Sequence, residues 1–236
     1  MYRFCIIVSG WNCEPFVKGC LDSIKAQTFK DFKVVIIDDA SQDNTLIEIM
    51  RNARPEWDVI SNGTRKGGFY NFDTATRETK DYEIAVPLCL DDKLMPDALE
   101  RINLEYLKGA WLTYGTWINK QGKIFKDLHH SDSVHANREY RNDVFRCTGI
   151  RTYYKKLYEK TQVYPMCEIE RTHYYDLEYT WQMMEMCGKD RMGVITEPTY
   201  EYNNANPNNT ARLHGIERKV YNEICKRQKK NLILQL

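Results

Sequence analysis

The chain has 236 residues, a formal net charge of +1, 42% hydrophobic and 28% charged residues. That length buries a full core without staples, the composition is that of an ordinary soluble globular protein, and the near-zero charge supplies no global field for nucleic acid or membrane. No segment approaches membrane-spanning length and the N-terminus lacks a signal-type apolar stretch, so a cytoplasmic location is expected, soluble or peripheral to a membrane. The 8 cysteines are scattered through apolar segments with no Cys-x-x-Cys spacing, which predicts reduced, buried thiols and no structural zinc.

Taken in order, residues 3–9 (Arg-Phe-Cys-Ile-Ile-Val-Ser) read as a strand buried on both faces. Residues 14–26 carry apolar side chains at helical spacing, at Phe16, Val17, Cys20, Leu21 and Ile24. A second buried strand over 34–37 (Val-Val-Ile-Ile) runs into Asp38 and Asp39, and Ser41 or Asp43 is placed to cap the next helix. That helix spans 44–54 with Leu46, Ile47 and Met50 inward, and Pro55 follows its end. A strand at 58–61, a basic glycine-bearing loop at 62–68, a helix at 69–79 and a strand at 82–90 come next. The last of these again ends in acids, Asp91 and Asp92. A helix over 96–107 and a strand over 111–117 complete a β-α alternation that predicts a mainly parallel α/β sheet flanked by helices.

The second half is less regular. Residues 121–142 are polar and predict a loop-dominated insertion in which His129, His130 and His135 are solvated. Helices are expected over 151–160 and 176–187, the latter with Leu177, Thr180, Trp181 and Met184 on one face. A short strand over 192–196, an Asn-rich loop over 201–212 and a terminal helix over 213–230 finish the chain. That last helix is basic; its plain reading is a solvated face, its sharper one contact with a phosphate-bearing partner.

Three candidate sites fall on one edge of the expected sheet: Gly10, Trp11 and Asn12 after the first strand, Asp38 and Asp39 after the second, Asp91 and Asp92 after the fourth. Open α/β sheets bind ligands at such strand ends. An aromatic face stacks a base. Carboxylates accept hydrogen bonds from a base or ribose, or hold Mg²⁺ or Mn²⁺ against a diphosphate. With no Gly-x-Gly-x-x-Gly loop, phosphate charge falls to a metal and to basic residues such as Arg65 and Lys66.

The pieces Cys-Ile-Ile-Val-Ser-Gly-Trp-Asn, Cys-Leu-Asp-Ser-Ile-Lys-Ala-Gln-Thr-Phe and Val-Val-Ile-Ile-Asp-Asp-Ala-Ser-Gln-Asp-Asn-Thr resemble the N-terminus of family 2 glycosyltransferases of the GT-A fold. The likeness continues through Asp-Asp-Lys-Leu-Met-Pro-Asp-Ala-Leu-Glu and returns in Tyr-Glu-Tyr-Asn-Asn-Ala-Asn-Pro. It implies one GT-A domain over 1–236, with residues 1–117 binding the nucleotide sugar and residues 118–236 holding the acceptor and the catalytic base. It implies transfer of a sugar from a UDP-sugar donor to the hydroxyl of a glycan or other acceptor, with inversion and with Mn²⁺ or Mg²⁺.

By the same resemblance, Gly10, Trp11, Asn12, Asp39, Arg65 and Leu90 line the nucleotide, with Asp38 a lesser candidate. Cys89-Leu90-Asp91-Asp92 stands at the family's Asp-x-Asp motif: Asp91 takes the metal-ligand position, and Cys89 replaces the acid that usually contacts the ribose. Asp92 is a partial substitute, and a shifted alignment makes Asp91-Asp92 the motif. Asp176 matches the catalytic base, a carboxylate that takes the acceptor's proton, with Glu178 as fallback. Arg212 and His214 are candidates to close over the diphosphate. Two rivals stand beside this reading. One is a non-catalytic module that binds a sugar nucleotide or glycan, motivated by Cys89. The other keeps the enzyme but makes a nucleic-acid base the acceptor, motivated by the basic tail.

Overall fold

The computed structural model describes residues 4–126, 129–143, 146, 149–162, 175–207, 229–233 and 235. Its first half follows the expected alternation: β1 (Phe4–Gly10), α1 (Val17–Lys25), β2 (Phe32–Asp38), α2 (Thr45–Asn52), β3 (Asp58–Ser61), α3 (Gly68–Glu78), β4 (Ile84–Cys89), a two-residue β5 (Lys93–Leu94) and α4 (Ala98–Leu107). Strands β3, β2, β1 and β4 lie side by side in that order, all parallel.

The unbroken apolar run of β1 has a direct cause. Phe4, Ile6 and Val8 enter one core with α1 and α4, while Cys5 and Ile7 enter the other, beneath α3. Full burial of each such aliphatic side chain contributes about 1.5–3 kcal/mol. Gln27, fully buried, ties α1 to α4. Its amide donates to the carbonyls of Ser23 and Met95, and its oxygen accepts from Leu99 N–H at 3.1 Å.

The second half extends the same sheet with β6 (Leu112–Asn119), β7 (Ile124–Phe125), α5 (Asp132–Asn137), β8 (Thr152–Tyr154), α6 (Lys155–Tyr158), α7 (Tyr175–Cys187) and β9 (Met192–Tyr202). The order continues β4-β8-β6-β9-β5, with β8 antiparallel to both neighbours and β6 parallel to β9. The architecture is the expected α/β sheet flanked by helices, parallel in its first half and mixed in its second.

Several expectations are corrected. The helix expected over 151–160 begins as strand β8, because Thr152 and Tyr153 fill the gap between β4 and β6. The Thr152 hydroxyl sits 2.6 Å from that of Thr113 and 3.0 Å from that of Tyr106. The strand expected over 192–196 runs on to Tyr202, past an irregularity opposite Gly115 and Trp117, so Glu201 and Tyr202 are strand and not loop. The polar insertion holds α5, whose N-cap Ser131 accepts from Val134 N–H. Helix α2 docks in a different phase: Thr45 and Ile49 face inward, whereas Ile47 and Met50 are exposed. The Thr45 hydroxyl accepts from buried Cys13 N–H at 2.7 Å, and that bond sets the phase. His130 is buried, its Nδ1 2.7 Å from Asp143, which replaces the solvated histidine expected. The terminal helix expected from residue 213 lies outside the described residues, except that Lys229 and Lys230 are not helical.

Candidate active site

The ends of β1, β2 and β4 deliver the expected residues to one edge. Gly10 lies opposite Asp38 in the β1–β2 register. A Cβ on Gly10 would stand 2.5 Å from Leu90 Cβ, so glycine is what lets the β4 end close over β1. Leu90 is fully buried in the core, and it shapes this edge through its main chain, whose N–H donates to Ser9 C=O. Asn12 and Ala40 both hold left-handed backbone, at φ 51° and 59°. Asn12 Oδ1 accepts from Gln42 N–H, and Asn12 N–H donates to Ser41 Oγ. These bonds lock the β1 and β2 loops together. Asp43 Oδ1 accepts from Thr45 N–H at the start of α2.

The two aspartates separate in role. Asp38 is buried, and its Oδ2 accepts from Ser41 N–H at 3.4 Å. Asp39, also buried, accepts three hydrogen bonds: Asn62 Nδ2 and Lys66 N–H on Oδ1, and Gly67 N–H on Oδ2, at 2.8–2.9 Å. Asn62 donates further to Asn71, which donates to Ser9 Oγ. Asp39 therefore clamps the loop that carries Arg65. The Arg65 guanidinium lies 3.7 Å from the centre of the Trp11 ring, a cation–π contact that covers one indole face.

At the β4 end, Cys89 Sγ and one carboxylate oxygen each from Asp91 and Asp92 all lie within 4.8 Å of one another. Two acids and a thiol so close fit a divalent cation. Asp91 Oδ2 accepts from Asn206 Nδ2 at 2.7 Å. Asp92 is almost fully buried; Tyr200 OH donates to Oδ2, and Asn203 N–H donates to Oδ1 at 2.7 Å. Burial, and then the charge of Asp91, push the Asp92 carboxyl up to about 8. Burial also raises Asp91, and the Asn206 bond and the Lys120 charge oppose it. Cys89 keeps accessible surface although protein atoms crowd its thiol. That crowding, followed by the Asp92 and Asp91 charges, pushes the thiol well above its ordinary value, with smaller contributions from Cys13 and Asp176.

Asp176 stands in the first turn of α7, partly buried and ion-paired with Arg151. Its charge is the last and smallest of the contributions that raise the Cys89 thiol. Glu178 lies in the same helix. Arg212 and His214 fall outside the described residues. Four residues were missed at the level of sequence: Tyr200, Asn203 and Asn206, which hold the two acids, and Lys120, whose ammonium lies 4.9 Å from the Phe16 ring centre near Asp91. The signals available for the first three were the family likeness over Tyr-Glu-Tyr-Asn-Asn-Ala-Asn-Pro and, for Asn203 and Asn206, the Asn-rich run that holds them.

The chain is 35% identical to the chondroitin synthase of Pasteurella multocida (strain Pm70) over 110 residues, 45% of this chain and 11% of that protein; the matched stretch is thus a small part of its length. The UDP complex of S. aureus TarS superposes with a TM-score of 0.67 at 19% identity, covering 85% of this chain and 60% of that one. Glucosyl-3-phosphoglycerate synthase from Mycobacterium tuberculosis, in complex with Mn²⁺, UDP and glucosyl-3-phosphoglycerate, superposes with a TM-score of 0.66 at 16% identity, covering 96% of this chain and 81% of that one. These likenesses identify the fold as GT-A. The model of "Glycosyl transferase family 2" matches residues 5–162, and the chain belongs to that family.

Proposed function

We propose that residues 1–236 form one catalytic domain of a metal-dependent, inverting glycosyltransferase that moves a sugar from a UDP-sugar to a glycan or other hydroxyl acceptor in the cytoplasm. The observation that carries this reading is the Cys89, Asp91 and Asp92 cluster at the β4 end, next to the β1 and β2 ends that lead into Trp11 and Asp39. Solved relatives of the same fold were crystallised with UDP or with Mn²⁺, which supports the choice of donor and ion. Asp91 would hold Mn²⁺ or Mg²⁺, which would neutralise charge on the diphosphate as UDP leaves.

The chain's own residues do the rest. Trp11 offers a face to the base, and Asp39 sets the loop from which Arg65 reaches the nucleotide. Asn206, Tyr200 and Asn203 keep the two acids aimed. Asp176, oriented by Arg151, takes the proton of the acceptor hydroxyl as that oxygen bonds to the anomeric carbon and the bond to the diphosphate breaks. Attack opposite the leaving group inverts the centre.

The test is transfer and donor hydrolysis in Asp91→Ala and Asp176→Asn. Loss of the base is expected to lower kcat by roughly 10²–10⁴-fold with UDP affinity retained. Full activity in Asp176→Asn would remove the base assignment. Cys89 in an acid's place favours one other reading, a module that binds a sugar nucleotide without turnover. Calorimetry with UDP, with and without Mn²⁺, separates the two: metal-independent binding and no turnover is its signature.

A further inference from the structure

The cation site proposed above assigns the ion to Asp91 and leaves open whether the Cys89 thiol beside it binds the ion directly. Cys89 Sγ belongs to the group of three donors lying within 4.8 Å of one another. Its fellows are already engaged: both oxygens of Asp92 accept hydrogen bonds, and Asp91 Oδ2 accepts another. The Cys89 main chain is held from below, where buried Cys20 Sγ lies 3.8 Å from its carbonyl oxygen, and the residue itself remains accessible. Ligand bonds of about 2.0–2.3 Å let one cation span donors this close after small side-chain rotations.

We propose that Cys89 Sγ is a ligand of the cation held by Asp91, so that the site selects borderline or soft divalent ions over Mg²⁺; this rests on the proposed cation site. The physical reason is donor softness. Mg²⁺ demands an octahedron of hard oxygens, whereas a thiolate stabilises Zn²⁺, Co²⁺ or Cd²⁺. On coordination the thiol proton passes to solvent. Cys89 thereby becomes a selector of the ion.

The experiment is a titration of the whole protein with Cd²⁺, following the ultraviolet thiolate-to-cadmium charge-transfer band. Parallel calorimetry uses Mn²⁺ with UDP. A one-equivalent band is expected in the wild type and is lost in Cys89→Ser, Cys89→Ala and Asp91→Ala, each checked for folding by circular dichroism. Cys89→Asp should shift the preference for Cd²⁺ over Mg²⁺ towards Mg²⁺ by roughly tenfold or more. If Mn²⁺ binds in an Asp91-dependent way but no band forms, or the band survives in Cys89→Ser, the thiol is not a ligand while the cation site stands. If neither cation binds with or without UDP, the cation site fails, and this inference with it.

Discussion

Asp39 acts on the Trp11 and Arg65 edge through the loop it holds. Its three accepted hydrogen bonds, from Asn62, Lys66 and Gly67, decide where Arg65 meets Trp11. Asp39→Ala would strand two main-chain N–H groups and an amide, each costing about 1–3 kcal/mol if left dry. The expected outcome is a lowered unfolding midpoint together with weaker UDP binding, read by thermal unfolding and calorimetry. Asp39→Asn, which keeps acceptor capacity, should fall between. An unchanged midpoint in Asp39→Ala would show that the clamp does not order the loop. The importance of Asp39 could be read from the sequence through the family resemblance. Its partners could not, because residues 23–28 positions away reach it only when the β3–α3 connection folds back across the β2 end.

Elements carry the next effects. Gly10→Ala would drive a methyl group into Leu90 Cβ, and overpacking of this kind costs about 1–3 kcal/mol. Because Leu90 immediately precedes Asp91, the same substitution should weaken cation-dependent UDP binding more than the lost stability explains. Urea unfolding and calorimetry on one sample separate the two effects. Helix α7 shows a different tension. It is buried on nearly every side, with Trp181, Met183, Met184 and Cys187 in the core, yet it carries Glu185. That carboxylate is paired with buried Arg141 at 2.6 and 2.9 Å and accepts from Lys230 N–H at 2.8 Å. Removing one partner of such a buried pair costs about 3–5 kcal/mol. Glu185→Ala is therefore expected to lower stability sharply, and the double variant Arg141→Met with Glu185→Met to recover part of it. Equal losses in single and double variants would mean that the charge on Arg141 is not what costs.

At the scale of the whole molecule, two groups tilt stability with pH in opposite senses. Asp92 is raised from 3.8 to about 8, so between those values the folded chain holds a proton that the unfolded chain has released. Stability then falls as pH rises from 3.8 towards 8, and Asp92→Asn should flatten that slope in chelator-treated protein. Burial lowers His130 beneath 6.5, against the opposing bond to Asp143. The unfolded chain therefore protonates first, stability present above 6.5 is lost as pH drops below it, and His130→Gln should reduce that loss. Unfolding midpoints across pH read both effects. The sequence by itself determined the α/β class, the succession of strands and helices in the first half, and the position of Gly10–Asn12, Asp38–Asp39 and Asp91–Asp92 at strand ends. These depend on local apolar runs, helical spacing and turn residues, which neighbours in the chain settle among themselves. Only the tertiary structure decided that 152–154 is a strand and that α2 faces Thr45 and Ile49 inward. It also decided that Tyr200, Asn203 and Asn206 steady Asp91 and Asp92, more than 100 positions away. Those outcomes depend on which surfaces meet when the second half joins the same sheet, and residue spacing along one segment carries no record of a partner that far away.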